Sequence, residues 1–179
     1  QVKRAKERSG NTWAAFKVID KIGEWLNFSP LLTHQQKSLI CHGVSSGKEL
    51  EMFMEAVPWL TKVVGTELAD IPSDIEGVIQ WDFHDVKPEW VGKIDLIYSN
   101  ALDHSNRPEE CLGAWLSCLR PWGYLFIEWS RMHGSAGFTK SDCFAASRKE
   151  YMNMLNRVGT VKDTLVVMPE KGGKERTIF

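Results

Sequence analysis

The sequence predicts an α/β fold, a three-layer α/β/α sandwich around a mostly parallel, seven-stranded sheet that ends in an antiparallel C-terminal hairpin. Two observations carry this prediction. Short apolar runs alternate with amphipathic segments along most of the chain, as in sheets built from βαβ units. Residues 164–179 instead contain two strand-like runs around a turn with Gly172 and Gly173, which is typical of a hairpin.

The first βα unit is the clearest local signal. Residues 39–41 are apolar, Gly43 and Gly47 interrupt the run, and residues 49–56 continue with helical character. Glycine lets a ligand lie against bare backbone, and the helix start beyond it offers free N–H groups and a positive dipole end. The arrangement predicts the first half of a nucleotide-binding βαβ unit.

Composition narrows the class of protein. With 179 residues, 43% of them hydrophobic, we expect one domain over residues 1–179, in which residues 1–30 form an N-terminal helical extension. The net charge of −1 argues against a nucleic-acid partner. No apolar run approaches the roughly 20 residues that a membrane span needs, so we predict no membrane partner. No secretory signal is visible, and the four cysteines show no CxxC pair, as expected of free thiols in a reducing compartment, so we predict a cytoplasmic protein.

The N-terminal helix is predicted from apolar spacing. Asn11 or Thr12 can cap it, and Pro30 lies just beyond its end. Its apolar positions recur at helical spacing: Trp13, Phe16, Ile19, Ile22 and Trp25/Leu26. We expect this stripe to pack on the sheet, with a lid over a ligand pocket as the alternative.

The remaining elements follow in order. Strands are predicted at residues 62–67, 78–83, 93–100 and 124–128. One helix begins near Ser105 or Asn106, with Pro108 in its first turn, and a later helix is capped by Ser141 and runs towards Gly159.

Polar residues follow the predicted strands at the edge of the sheet where α/β folds bind ligands. Glu67 ends the second strand and can accept hydrogen bonds from ribose hydroxyls. At the end of the third strand, Asp82 can accept one from an exocyclic amine, and Phe83 can cover a purine. Asn100 and His104 follow the fourth strand. The glycine loop argues against two other kinds of nucleotide site. A dinucleotide-binding fingerprint needs glycine at positions 45 and 48, where this chain has serine and lysine. A Walker phosphate loop would be one residue longer.

Five segments, in this order and spacing, resemble the class I S-adenosylmethionine-dependent methyltransferases, a Rossmann-like family. Cys41-His-Gly-Val-Ser-Ser-Gly47 stands where the family has Asp-x-Gly-x-Gly-x-Gly, with Cys41 in place of the acid and Ser45 in place of the middle glycine. Thr66-Glu67 and Asp82-Phe83 match the ribose-binding and adenine-binding acids. Residues 95–104 resemble Asp-Leu-Val-x-Ser-x-x-Leu-Glu-His, and residues 119–125 resemble Leu-Lys-Pro-Gly-Gly-x-Leu, with Trp122 in place of the first glycine.

The resemblance implies S-adenosylmethionine as the cofactor. It implies a set of cofactor-binding residues, Cys41, Gly43, Ser45, Gly47, Glu67, Asp82, Phe83 and Asn100. His104 is the candidate catalytic base, and the alternative is that it orders the next helix start. His133 is a weaker candidate, and His42 is interpreted as a packing residue. His84 lies beside two aspartates, but residues this close in sequence seldom converge on one ion, so no metal site is predicted.

The predicted function is methyl transfer to the oxygen or nitrogen of a small-molecule acceptor. The chain lacks the Pro-Pro-aromatic run of amino-group DNA methyltransferases, which argues against a base in DNA as the acceptor. The substitutions at Cys41 and Trp122 leave a second hypothesis open, a catalytically inactive binding or scaffold domain. A dinucleotide-dependent oxidoreductase is disfavoured by the glycine count.

Overall fold

The computed structural model describes residues 16–28, 37–70, 75–134, 142–168 and 175–179. The elements in chain order are α1 (Phe16–Phe28), β1 (Lys37–His42), α2 (Lys48–Ala56), β2 (Leu60–Glu67), β3 (Val78–Gln80), β4 (Ile94–Ser99), α3 (Pro108–Cys118), β5 (Leu119–Ser130), α4 (Arg148–Val158), β6 (Leu165–Val167) and β7 (Arg176–Ile178). Short 3₁₀ turns lie at Pro88–Trp90, Leu102–His104 and Arg131–His133.

The strands form one seven-stranded sheet in the order β3-β2-β1-β4-β5-β7-β6. The neighbours from β3 to β5 are parallel, whereas β7 runs antiparallel to both β5 and β6. The predicted fold, including the closing hairpin, is confirmed. Strand order reverses between β1 and β4, so the loops after these two strands diverge and leave a crevice at the carboxyl edge of the sheet. We call this edge the rim.

Helices cover both faces of the sheet. Because side chains alternate along a strand, Leu39 and Cys41 face the layer of α1 and α2, whereas Ile40 packs with α3 and α4 on the other side. The same alternation puts Leu96 with the first layer and Ile97 with the second. The central parallel strands are therefore apolar on both faces, as buried parallel sheets require.

Helix α1 packs as its apolar spacing predicts. Ile19, Ile22 and Leu26 are buried, and the Trp25 ring meets Tyr124 edge-on with a centroid distance of 5.0 Å. The helix ends at Phe28, in agreement with the prediction. Its predicted caps, Asn11 and Thr12, and the apolar Trp13 lie outside the described residues. The described side chains favour packing on the sheet over a lid.

Several predicted boundaries are wrong. Strand β5 begins at Leu119 rather than at position 124, and the N-cap of α3 is Arg107 rather than Ser105 or Asn106. Two further boundaries differ for a local reason. Strand β3 stops at Gln80 rather than at position 83, because Asp82 closes a turn in which its carboxylate accepts the His84 N–H (2.9 Å). The last helix begins at Arg148, and its cap is Ser147 rather than Ser141, which lies outside the described residues. Ser147 and Glu150 form a reciprocal capping box, which satisfies two otherwise unpaired N–H groups.

None of the helices in the described part of the chain combines the length and the apolar character that a bilayer crossing requires.

Two helical glycines give a matched test of the packing between α1 and α2. A Cβ at Gly23 would lie 2.9 Å from the Ala56 carbonyl oxygen, whereas a Cβ at Gly113 in α3 would meet no atom within 4 Å. Replacing glycine by alanine raises the helix propensity at both positions, so the difference in stability between the two variants reports the steric clash at position 23. We expect Gly23→Ala to lower the free energy of unfolding by about 1–3 kcal/mol and Gly113→Ala to raise it by about 0.5–1 kcal/mol, measured by urea denaturation. Equal effects would contradict close packing at Gly23.

Candidate functional site

The loop after β1 is held tightly at the centre of the rim. Gly43 and Gly47 both adopt φ +74°, and the N–H groups of Gly43 and Val44 donate to the Thr66 carbonyl at 2.9 and 3.1 Å. A Cβ at Gly43 would lie 2.4 Å from the Ala101 Cβ. The loop is therefore wedged between the ends of β2 and β4, and only glycine fits at its first position.

Glu67 fastens the middle of this loop from the end of β2. One carboxylate oxygen accepts the Ser45 N–H at 2.8 Å, and the other accepts the Ala69 N–H at 3.1 Å. Ser45 has φ +49°, a left-handed conformation that glycine adopts more easily. Because a carboxylate has about four lone-pair positions, Glu67 keeps the capacity to accept further hydrogen bonds at the rim.

Cys41 and His42 are both buried, on opposite faces of β1. Burial raises the pKa of the Cys41 thiol well above its usual value, so it is uncharged. His42 stacks on Trp115 with a centroid distance of 4.7 Å, and its Nδ1 pairs with the Thr66 hydroxyl at 2.8 Å. Burial lowers the pKa of His42 to about 3. His42 is a packing residue, in agreement with its interpretation from sequence.

The segment after β3 borders the same loop. Burial opposes ionisation of Asp82, but hydrogen bonds from the backbone and ring of His84 outweigh it and lower the pKa of the carboxylate. The other ring nitrogen of His84 lies 2.8 Å from the Ser105 hydroxyl, so the ring ties this turn to the loop after β4. Phe83 lies beside the loop, 3.9 Å from the Cβ that Gly43 lacks.

Asn100 follows β4 directly. Its Nδ2 is buried and has no hydrogen-bond partner among the described residues. The preceding Ser99 hydroxyl donates to the His42 carbonyl at 3.1 Å, which fixes the end of β4 against the end of β1. A buried amide N–H without a partner is costly unless a ligand or water accepts from it.

A second group of titratable side chains lies further along the rim, after β4 and β5. We call Asp103, His104 and Asp142 the Asp103 cluster. One ligand-type atom from each lies within 4.8 Å of the other two, and the His104 Nδ1 is 3.5 Å from the Asp142 carboxylate. His133 acts on the cluster from the turn after β5, and burial lowers its pKa. The structure thus brings His104 and His133 to one place, together with two carboxylates.

The fold and this rim can be compared with known proteins. No family model matches the chain, and no curated protein matches it in sequence. Solved structures do match. A methyltransferase from Haloferax volcanii, in complex with the Trm112 methyltransferase activator, has a TM-score of 0.70 at 14% identity over 98% of this chain and 91% of its own. The N1-methyltransferase of 1,6-didemethyltoxoflavin from Burkholderia thailandensis, with S-adenosylhomocysteine bound, has a TM-score of 0.66 at 15% identity over 92% and 76%.

The carbon methyltransferase of CurJ also has a TM-score of 0.66, at 12% identity over 91% of this chain. The present chain spans about half of its length, 52%. The chain has the class I methyltransferase fold. Identities of this size show the fold alone, and the reaction has to be argued from the site.

Within the methyltransferase fold, the predicted cofactor residues divide into two groups. Glu67 contacts the glycine loop directly, Phe83 borders it, and Asn100 offers an unpaired buried donor at the neighbouring strand end. Cys41, by contrast, is buried among the apolar side chains of the α1–α2 layer. Asp82 accepts from the backbone and ring of His84 through one carboxylate oxygen, Oδ1. That these residues bind a cofactor stays a prediction.

Sequence reasoning missed a buried acid next to the loop. Glu49, in the first turn of α2, is only 4% exposed, and its Oε2 has no partner among the described residues. Burial raises the pKa of Glu49 to about 7, and the charges of Glu128 and Glu67 add to the effect. Glu128 itself accepts from the Tyr98 hydroxyl at 2.7 Å and pairs with Arg176. In sequence, Glu49 looks like an ordinary first-turn acid of a helix, and only burial distinguishes it.

The raised pKa of Glu49 makes stability depend on pH. Between the unfolded value of 4.5 and the folded value of about 7, the folded state retains a proton that the unfolded state has lost. Stability therefore falls as pH rises through this window. Glu49→Gln removes the effect, so we expect the variant to gain up to about 3 kcal/mol over the natural chain at pH 8 and little at pH 4.5.

The measurement is the free energy of unfolding by urea at both pH values. Glu51→Gln, at an exposed position of the same helix, is the control and should show no such growth with pH. A difference for Glu49→Gln that is equal at pH 4.5 and pH 8 would contradict a protonated buried Glu49.

Proposed function

We propose that this chain is an S-adenosylmethionine-dependent methyltransferase that acts on a small-molecule acceptor. The observation that carries the proposal is the glycine loop at the reversal of strand order, with Glu67 fastened against it and the unpaired Asn100 amide beside it. In this fold the crevice at that point is the ligand site. S-adenosylmethionine supplies an already activated methyl group, so the protein has mainly to position the two reactants.

The residues at the loop fit the adenosyl part of such a cofactor. The backbone of Gly43, Ser45 and Gly47 presents a surface without side-chain bulk at the first and last positions. Glu67 retains lone pairs for ribose hydroxyls, and Phe83 offers a ring face for the adenine. Asp82 would accept from the adenine amine, and the Asn100 amide would donate to the ligand from the end of β4. Cys41 contributes an uncharged wall beneath the loop.

His104 is the proposed catalytic residue. Its side chain is 48% exposed, it lies at the end of the turn after β4, and its Nδ1 is 3.5 Å from the Asp142 carboxylate. This position is beside Asn100 along the rim, where an acceptor would meet the methyl group. The chain's net charge of −1 supports a small molecule over a nucleic acid as the acceptor.

A second candidate function has a specific observation in its favour. The buried, neutral Cys41 leaves the end of β1 without the carboxylate that the methyltransferase motif has there. A chain that had lost the cofactor could keep this fold as a binding or scaffold domain. Trp122 is the other residue that departs from the methyltransferase motif. It does not support the scaffold hypothesis, because its side chain is 80% exposed near the amino end of β5, away from the rim.

Calorimetric titration with S-adenosylmethionine, S-adenosylhomocysteine and NAD separates the candidates. Micromolar binding of the two adenosyl compounds, without NAD, is the expected result. Absence of binding by all three would favour the scaffold domain. We also propose that residues 1–179 form one cytoplasmic domain with residues 1–30 as its N-terminal helical extension.

The ribose contact can be tested at Glu67. Glu67→Ala removes the acceptor for the ribose and frees the loop at Ser45, so we expect S-adenosylhomocysteine to bind about 10- to 100-fold more weakly by calorimetry. Glu51→Ala, which removes an exposed acid in α2, is the matched control and should leave affinity unchanged. Unchanged affinity in Glu67→Ala would place the cofactor elsewhere.

The catalytic assignment can be tested at His104. With an acceptor found by screening for transfer of a labelled methyl group, we expect His104→Ala to lower kcat by at least about 100-fold. Its affinity for S-adenosylhomocysteine should stay within about twofold, because the imidazole lies beyond the cofactor. Asn106→Ala, an exposed change in the same loop, serves as the control. A kcat that survives in His104→Ala would remove this residue from the mechanism.

A further inference from the structure

The Asp103 cluster has the composition of a metal site. It combines two carboxylates and one imidazole, whose ligand-type atoms all lie within 4.8 Å of one another. We propose that Asp103, His104 and Asp142 bind one divalent cation at the rim of the sheet. Asp142 is far in sequence from the adjacent Asp103 and His104, which is why spacing alone did not suggest the site.

Both carboxylates of the Asp103 cluster are largely buried, so keeping them ionised without a nearby cation costs free energy. Asp103 is only 6% exposed, and its Oδ1 has no hydrogen-bond partner among the described residues. The Asp142 side chain is 8% exposed. Two nearly buried carboxylates at close range are stabilised by a cation between them.

A second buried polar atom acts on the same place. The Tyr151 hydroxyl, on α4, is fully buried and has no hydrogen-bond partner among the described residues. The Tyr151 ring stacks on the ring of His133, in the turn after β5, with a centroid distance of 6.5 Å. A hydrated cation would satisfy Asp103 and Tyr151 together, since buried polar groups without partners are rare in native proteins.

The cluster is also assembled before any ligand arrives. Cys143 and Phe144 donate their N–H groups to the Asp103 carbonyl at 2.8 and 3.2 Å, which holds Asp142 against the turn after β4. The Ala146 N–H donates to the His133 carbonyl at 3.1 Å, which fixes the other end of this segment. Preformed ligand geometry of this kind lowers the entropic cost of binding.

The donor set indicates the kind of cation. An imidazole with two carboxylates suits Mn²⁺, Fe²⁺ or Zn²⁺ better than Ca²⁺, which prefers six to eight oxygen ligands. Three protein ligands leave coordination positions open, and the half-exposed His104 puts them at the rim. A cation there would hold an oxygen of the acceptor, and His104 would then serve the reaction as a ligand of the cation rather than as a base. That role rests on the proposed methyl transfer, whereas binding of the cation does not.

The test is direct binding of the metal alone. Cys143→Ser is the background, because this exposed thiol lies next to Asp142 and would itself bind Zn²⁺. Mn²⁺ is titrated and followed by the loss of its free electron paramagnetic resonance signal, and Zn²⁺ is titrated by calorimetry. We expect one ion per chain, with affinity at least about tenfold weaker in Asp103→Asn and Asp142→Asn.

Asp85→Asn is the control, because Asp85 is exposed in the other His–Asp group, beside Asp82 and His84, and its change should leave affinity unaltered. Circular dichroism melts confirm that each variant is folded. Failure of the folded Cys143→Ser chain to bind either ion would overturn the proposal. So would binding that persists in both cluster variants or that disappears in Asp85→Asn. Because no S-adenosylmethionine is present, these results are independent of the proposed methyl transfer.

Discussion

The structure depends on the close contact between the loop after β1 and the ends of its two neighbouring strands. Two N–H groups of the loop share the Thr66 carbonyl, and Gly43 leaves no room for a Cβ against Ala101. This contact sets how far the loops after β1 and β4 separate, and hence the shape of the crevice. It also places Glu67 within reach of Ser45. The shape of the rim therefore follows from backbone packing at one glycine.

The rim carries several acidic side chains, and the described residues supply partners for only some of their oxygens. Glu128 is paired with Arg176, but Glu49 and Asp103 each have a buried oxygen without a partner among the described residues. Such groups are expensive in a purely structural role. Glu49 follows β1 and Asp103 follows β4, so both come after strands that end at the rim. Under the proposed function, these carboxyl groups would suit a sulfonium cofactor, which carries a positive charge at the reacting centre.

Sequence reasoning succeeded where local pattern and backbone chemistry agree. The alternation of apolar runs with amphipathic segments predicted the strands. Gly43 predicted a turn that has no room for a side chain. It failed where a side chain's surroundings come from distant segments. Ser147, not Ser141, caps the last helix because the preceding residues hydrogen-bond to Asp103 and His133 instead of starting a helix. No role was predicted for Asp142, because its partners in the Asp103 cluster lie some forty positions earlier in the chain.

The sequence by itself determined the fold class, the order of strands and helices, the glycine loop and the residues at the strand ends. These depend on periodicity and on the conformational freedom of glycine, which are local properties. Only the tertiary structure decided which of those residues are buried, paired or unpaired. Cys41 and His42 are adjacent, yet alternation along β1 places them in opposite cores. Asp103, His104 and Asp142 become one cluster because β4 and β5 are neighbours in the sheet.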